Sequence, residues 1–425
     1  MTRRRAPLTE SPGDSRAPPP ALRQESRAAR ILVLVGIVVL AFNLRPSAVS
    51  VGPVLDEITT GLRMSSTQAG VLTSLPVLAF AVFGALAPKL ARTVGVHRLT
   101  LLALVGVVIG LFVRSRVDSV PAFLALSLLA LAGMATANVL LPSLVKLHFP
   151  DRIGLMTAVY STALAIGLTS ASVLTVPISE TYGGWRSGLA AWSLVGAVAV
   201  LPWLGLVRHD RPLTDGDLPQ TIRLSSVART RLGWTMAVFF GLQSLQAYSI
   251  FGWFAEVYRD AGFSAHTAGL LLGVITGVSI PLSFVIPAQA ARMKNQGPLM
   301  WLLMACYPVG YAGLILAPHG GAWVWAVICG VGTCTFPLIL TLIGLRAHTP
   351  AGTAALSGFT QSVGYLIAAL GPFGFGVLHD PTGAWTVPLL ALAILAVPQL
   401  VVGLAVSRPS YIEDQLSGRV PRGAA

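Results

Sequence analysis

Charge is the scarce ingredient of this sequence. Only 11% of its 425 residues are Asp, Glu, Lys or Arg, against about 25% in an ordinary soluble domain. Apolar residues make up 54%, and the mean hydropathy is +0.74. A soluble fold of this length must wet its surface and could not hide so much apolar area. A bilayer removes the difficulty, because lipid itself solvates the apolar faces.

Other absences narrow the function. The three cysteines, Cys306, Cys329 and Cys334, all fall inside apolar runs and lack metal-ligand spacing. The seven histidines are scattered and no Asp-rich motif occurs, which argues against a membrane-embedded enzyme. The phosphate-binding pattern Gly-x-x-x-x-Gly-Lys-Ser/Thr is missing, so the chain is not expected to hydrolyse nucleotide. No cofactor is expected. The net charge of +13 would suggest nucleic acid in a soluble protein. Here the basic residues sit mostly between apolar runs, and orientation in a membrane is the better reading.

A membrane-crossing helix needs about 20 mostly apolar residues. Twelve segments qualify: 30–55, 67–91, 97–113, 120–146, 154–179, 187–207, 233–257, 267–291, 298–317, 322–345, 353–378 and 384–407. The expected class is therefore all-α, with twelve transmembrane helices in two six-helix bundles. Residues 1–29, Arg-rich and carrying Pro18, Pro19 and Pro20, read as a disordered basic tail. The apolar run that follows continues to Leu55, so it reads as a first span and not as a cleavable leader. The bundles are expected over 30–207 and 233–407. A polar linker at 208–232 joins them, and a tail follows at 408–425.

Placing the N-terminus in the cytoplasm puts 23 of the 29 Lys and Arg on that side and five outside, with Arg45 inside a span. That imbalance predicts both termini inside and an inner (plasma) membrane location. An internal repeat supports the division. SSTQAGVL at 65–72 aligns with SAHTAGLL at 264–271, Asp56 with Glu256, Pro88 with Pro287, Trp185 with Trp385, and Asn43 with Gln243. The common offset of 199 or 200 says that the halves are duplicated in the same orientation, about an axis along the membrane normal.

Arg45 is the sharpest functional signal. It lies near the middle of the first span, where insertion scales assign about 2.5–3.5 kcal/mol to an arginine. Pro46 follows it and removes a backbone hydrogen bond, which predicts a kink. Asp56 and Glu57 are roughly 17 Å further along the same helix, too far to neutralise it. No acid occupies mid-depth in any other span. A substrate anion could supply the missing charge, since a guanidinium binds planar oxyanions in bidentate fashion. The other reading leaves Arg45 on backbone carbonyls as a structural group. Uncharged polar residues at mid-depth are Asn43, Asn138, Tyr160, Gln243, Gln246, Tyr248, Gln361 and Tyr365. Each could bond a substrate or a neighbouring helix. Asp56, Glu57 and Glu256, near outer ends, are the acids available for gating or for a coupling proton.

Four stretches resemble a known family: NLRPSAVSVGPVLDEI at 43–58, AGVLTSLPVLAFAVFGALAPKLAR at 69–92, GLQSLQAYSIFGWF at 241–254 and SGFTQSVGYLIAALGP at 357–372. They are similar to the cyanate permease and nitroimidazole-transporter branch of the major facilitator superfamily. The resemblance runs from about residue 30 to 407 and implies alternating access around a central site. One signature departs from that family. Its Gly-x-Leu-Ala-Asp-Arg-x-Gly loop reads here as Pro88, Leu90, Ala91, Arg92, Thr93 and Gly95, with Arg92 in the place of the acid and Arg292 at the matching point of the second half. Arg92 then needs other partners, such as helix C-terminal carbonyls.

The expected function is secondary active transport of a small polar or anionic solute, cyanate-like or a small carboxylate, with Arg45 as its charge contact. The alternative is an exporter of small, weakly polar compounds of nitroimidazole type, in which Arg45 is structural. The expected partners are that solute, a possible coupling proton and the lipid bilayer, with no nucleic acid and a monomeric chain.

Overall fold

A computed structural model describes residues 27–149, 152–207 and 222–417. The expected basic tail up to residue 26 and most of the expected linker lie outside the described residues, while residues 27–29, expected in that tail, form the first turn of a helix that begins at Arg27. Among the described residues the chain is helical, with no strand. Twelve rods run in order: α1 Arg30–Leu62, α2 Ser66–Ala91, α3 Val96–Arg114, α4 Val120–Val145, α5 Leu155–Thr181, α6 Trp185–Leu206, α7 Arg231–Asp260, α8 Ala265–Arg292, α9 Gly297–Leu316, α10 Ala322–Leu345, α11 Gly352–His379 and α12 Thr386–Ser407. Eleven of these are long and apolar enough to cross a membrane. The exception is α7, 30 residues long. It is diluted by Gln243, Ser244, Gln246, Tyr248, Ser249 and Glu256, and it buries nearly all of these against its neighbours.

Local chemistry sets the helix boundaries. Ser65 caps α2 by accepting from the Gln68 amide, while the Gln68 side chain reaches back to the Ser65 amide. Ser264 caps α8 through the Thr267 amide. The repeated Ser-x-x-Gln/Thr at the head of the second helix of each half is thus a duplicated helix start. Thr230 and Thr349 cap α7 and α11 in the same way, through Gly233 and Gly352.

Several rods are broken inside. In α1 the helix runs from Arg27 to Leu44, pauses at Arg45, resumes at Pro46–Val49, and tightens to a 3-10 turn at Gly52–Val54. Pro46 and Pro53 have no N–H to continue the ladder. In α2 a π turn spans Phe80–Gly84, four residues after Pro76. Such bulges collect at functional sites.

The first six rods pack mainly on one another, and so do the last six. Because the number of rods is even, Arg27 and Ile412 lie on one face, called here the terminal face. A short helix, Ile412–Leu416, docks there. Its Glu413 accepts from the His348 and Thr349 amides and from the Thr349 hydroxyl, and its Gln415 accepts from the Leu232 amide. The two groups of six meet along α1–α7, α2–α11 and α5–α8. These meetings lie at mid-depth and toward the far face. Gly52 lets α1 approach so closely that a Cβ there would overlap the Phe251 carbonyl of α7. Ser74 on α2 donates to the Ala369 carbonyl of α11 at 3.0 Å. At the far surface the Thr67 amide and hydroxyl donate to Asp380 at 3.1 and 2.6 Å. The two groups are therefore joined at the far face.

Candidate functional site

Arg45, Tyr248 and Tyr365 come together where the two groups meet. Each lies near the middle of its rod, on α1, α7 and α11 respectively. The Arg45 side chain lies beside Tyr248 of α7. The Tyr248 hydroxyl faces the Arg45 guanidinium closely enough to interact, and it is left without a completed hydrogen bond. Tyr248 is only 7% exposed. Tyr365, 5% exposed, lies within the field of both Arg45 and Tyr248. Its ring stacks on Phe80 of the α2 π turn at 4.8 Å and meets Phe240 edge-on at 5.0 Å. Phe251 meets Tyr248 at 5.9 Å.

Arg45 is half-buried. Among the described residues it has no carboxylate partner within ion-pair distance. One face of the cluster is thus aromatic and one edge cationic, and a tyrosine hydroxyl is in want of an acceptor. Such an arrangement can hold a small planar group bearing negative charge or oxygen atoms. Gln361, one turn from Tyr365 toward the terminal face, is half-buried and donates to Ser357 at 2.7 Å. Tyr160 on α5 and Asn138 on α4 are half-buried, and Tyr160 sits beside Thr157.

The other expected polar residues have different surroundings. Asn43 is fully buried inside the first six rods against Gly196 of α6, with both amide atoms lacking a partner. Gln243, its repeat counterpart, is buried and accepts from Ser244 at 3.1 Å. Gln246 is a tie between helices. Its Nε2 donates to the Leu392 carbonyl at 2.9 Å, and its Oε1 accepts from Tyr311 at 2.7 Å.

The acids near the outer ends form a separate cluster. Arg259 of α7 donates to Asp56 at 2.9 Å and to Glu57 at 2.7 Å, linking α7 to α1. Glu256 lies one turn below Arg259. Arg292 is exposed at the end of α8, and the side chain of Arg92 lies outside the described residues. No group of three or more His, Cys, Asp or Glu that could hold a metal occurs among the described residues.

Two buried arginines escaped sequence reasoning. Arg114, at the end of α3, is fully buried. Among the described residues its hydrogen bonds are long ones, at 3.4 Å to Ser127 and 3.5 Å to Ser50, its Nε has no partner, and its guanidinium lies over the Phe123 ring at 6.0 Å. Arg346, at the end of α10, donates to the Val406 and Ser407 carbonyls and to Gln296 at 3.0, 2.8 and 2.7 Å. Both stand at span ends, where an arginine ordinarily reaches water. Only packing reveals that these two do not.

The family profile described as Major Facilitator Superfamily matches residues 31–372. An uncharacterized transporter, YycB, of Bacillus subtilis (strain 168) is 38% identical over 385 residues, covering 89% of this chain and 94% of its own. The 2-nitroimidazole transporter of Escherichia coli (strain K12) is 33% identical over 384 residues, covering 90% and 97%. The cyanate transport protein CynX of the same organism is 28% identical over 375 residues, covering 88% and 95%. A crystal structure of the nucleoside transporter NupG superposes with a TM-score of 0.73 at 13% identity, over 88% of this chain and 99% of that one. This likeness concerns the fold. The twelve rods, the two groups of six and these matches agree: the chain is a multi-pass membrane transporter, not an enzyme, and belongs to the major facilitator superfamily.

Proposed function

We propose that the chain carries a small, planar, polar or anionic solute across the inner membrane by alternating access, as a monomer with its terminal face in the cytoplasm. The solute's charged or oxygen-bearing edge lies between the Arg45 guanidinium and the Tyr248 hydroxyl. Its flat face lies near Tyr365 and Phe80. The observation that carries the reading is the unfilled Tyr248 hydroxyl beside an arginine with no carboxylate partner. Burying a hydroxyl without an acceptor costs about 1–3 kcal/mol. A bound oxyanion removes that cost and neutralises the guanidinium. The arrangement with the far face joined is the state that receives solute from, or releases it to, the terminal face. Energy comes from a gradient of solute or ion.

The cyanate transport relative supports an anion. The 2-nitroimidazole relative supports a second reading, export of a weakly polar heteroaromatic compound with Arg45 as a structural group. A thermal-shift screen of purified protein with small anions and with 2-nitroimidazole separates the two. A ligand at 100 times its Kd stabilises the folded state by about 2.7 kcal/mol. The anion reading expects a rise in Tm for the wild type with at least one small oxyanion, cyanate or carboxylate. That rise should vanish in Arg45→Ala. Stabilisation by the neutral compound that survives Arg45→Ala would establish the second reading in its place.

A further inference from the structure

The far-face cluster holds more acid than its one arginine can satisfy. Arg259 spends both terminal nitrogens on Asp56 and Glu57 of α1. Glu256 stands on the same helix as Arg259, three residues earlier, and its Oε2 is buried with no hydrogen-bond partner. The charged groups that act on Glu256 are Asp56 and Glu57 from α1, and Asp260 and Arg259 from α7. Three of these four are acids. Asp260 is engaged elsewhere, accepting from the Trp385 indole at 2.7 Å. His379 of α11 stacks on Trp385 at 3.8 Å and bears on Asp260.

Consider the two positions of this latch. With α1 and α7 together, an ionised Glu256 would face three like charges, with Arg259 already occupied and part of its carboxylate out of water. A protonated Glu256 avoids that repulsion. When α1 and α7 separate, Asp56 and Glu57 leave with α1. Water reaches Glu256, and Arg259 becomes free to pair with it at the i, i+3 spacing that places two side chains on one helix face. The ionised form is then favoured.

We propose that Glu256 is a proton-binding residue of the far-face latch, protonated while α1 and α7 are joined and ionised once they part. The proton is taken up on closing and released on opening, so acid on the far side favours the closed latch. By linkage the same proton resists opening. The proposal concerns the latch alone and holds whichever solute the centre carries. Its pseudo-symmetric partner Asp56, at the same point of the first half, is paired with Arg259.

Spin labels at Thr60 of α1 and His266 of α8, both exposed at the far face, report opening in reconstituted protein across pH 5–9. The wild type should show a growing open fraction as pH rises. A difference of one pKa unit between the two states changes the open-to-closed ratio about tenfold. In Glu256→Gln the ratio should be flat with pH. Asp260→Asn, beside the cluster, should keep the slope. Infrared difference spectra of the unmutated chain supply a second readout: a protonated-carboxyl band that disappears as the open fraction grows. A flat wild-type profile, a Glu256→Gln profile that keeps the wild-type slope, a band that does not follow opening, or a shift driven by sodium at constant pH would each overturn the proposal.

Discussion

Gly52 offers a direct test of how the halves close. It stands in the 3-10 turn of α1, and its Cα faces the Phe251 carbonyl of α7 so closely that one added methyl would overlap it. The backbone of Gly52 does not take positive φ, so alanine is acceptable to the chain itself. The strain of Gly52→Ala therefore arises only while α1 and α7 are in contact. Overpacking a close contact costs about 1–3 kcal/mol, and each 1.36 kcal/mol is a factor of ten in an equilibrium. The open-to-closed ratio at the far face should rise by roughly 5- to 150-fold on those figures. The Thr60 and His266 label pair, in a Cys306→Ser background, measures that ratio by distance distribution. An unchanged distribution in a well-folded Gly52→Ala protein would falsify the view that this contact belongs to one state of the cycle.

Two buried arginines should respond oppositely to the same change. Arg346→Met strands two carbonyls and Gln296, and should lower stability by about 2–4 kcal/mol in a thermal-unfolding series. Arg114→Met removes a guanidinium whose hydrogen bonds among the described residues are two long ones and puts an apolar chain beside the Phe123 ring, and should leave the Tm unchanged or raised, since well-packed apolar replacements of buried charge are often neutral or stabilising. Asp380, on the far surface, is held below the usual carboxylate range by hydrogen bonds from the Thr67 and Ser66 side chains. A depressed folded-state value means that its contribution is complete above the ordinary pKa of 3.8 and is lost as pH falls below it. Acid titration of unfolding should therefore show a loss below that value in the wild type that is absent from Asp380→Asn.

Much of the architecture is readable from residue order because the bilayer imposes it. A span must be apolar for some 20 residues, and each backbone amide must find its partner within the helix. Those demands act on one segment at a time, so α1 to α6 and α8 to α12 stand out in the composition. The seventh rod is harder to read, because its polar residues are hidden by neighbours and not by their own chemistry. The repeat at SSTQAG and SAHTAG is equally local, since a serine cap acts on an amide three residues away. Arg45 is legible for the same reason. Its depth follows from counting residues, and its break from Pro46.

What a side chain meets is a different matter. Asn43 and Arg45 are two residues apart and both sit at mid-depth, yet one turns into its own bundle against Gly196 and the other toward Tyr248. Gln246 and Tyr248 diverge likewise, one to Leu392 and Tyr311, the other to the centre.

The sequence by itself determined the solvent, the number of crossings, the duplication and the depth of the lone mid-span cation, because each depends on composition or on contacts within a few residues. Only the tertiary structure decided which helices of opposite halves meet, that Arg259 spans to Asp56 and Glu57, and which face of the bundle is joined. A helix's rotation about its axis and its tilt are set by packing against neighbours. Those contacts link residues some 200 positions apart, a distance over which no local rule operates.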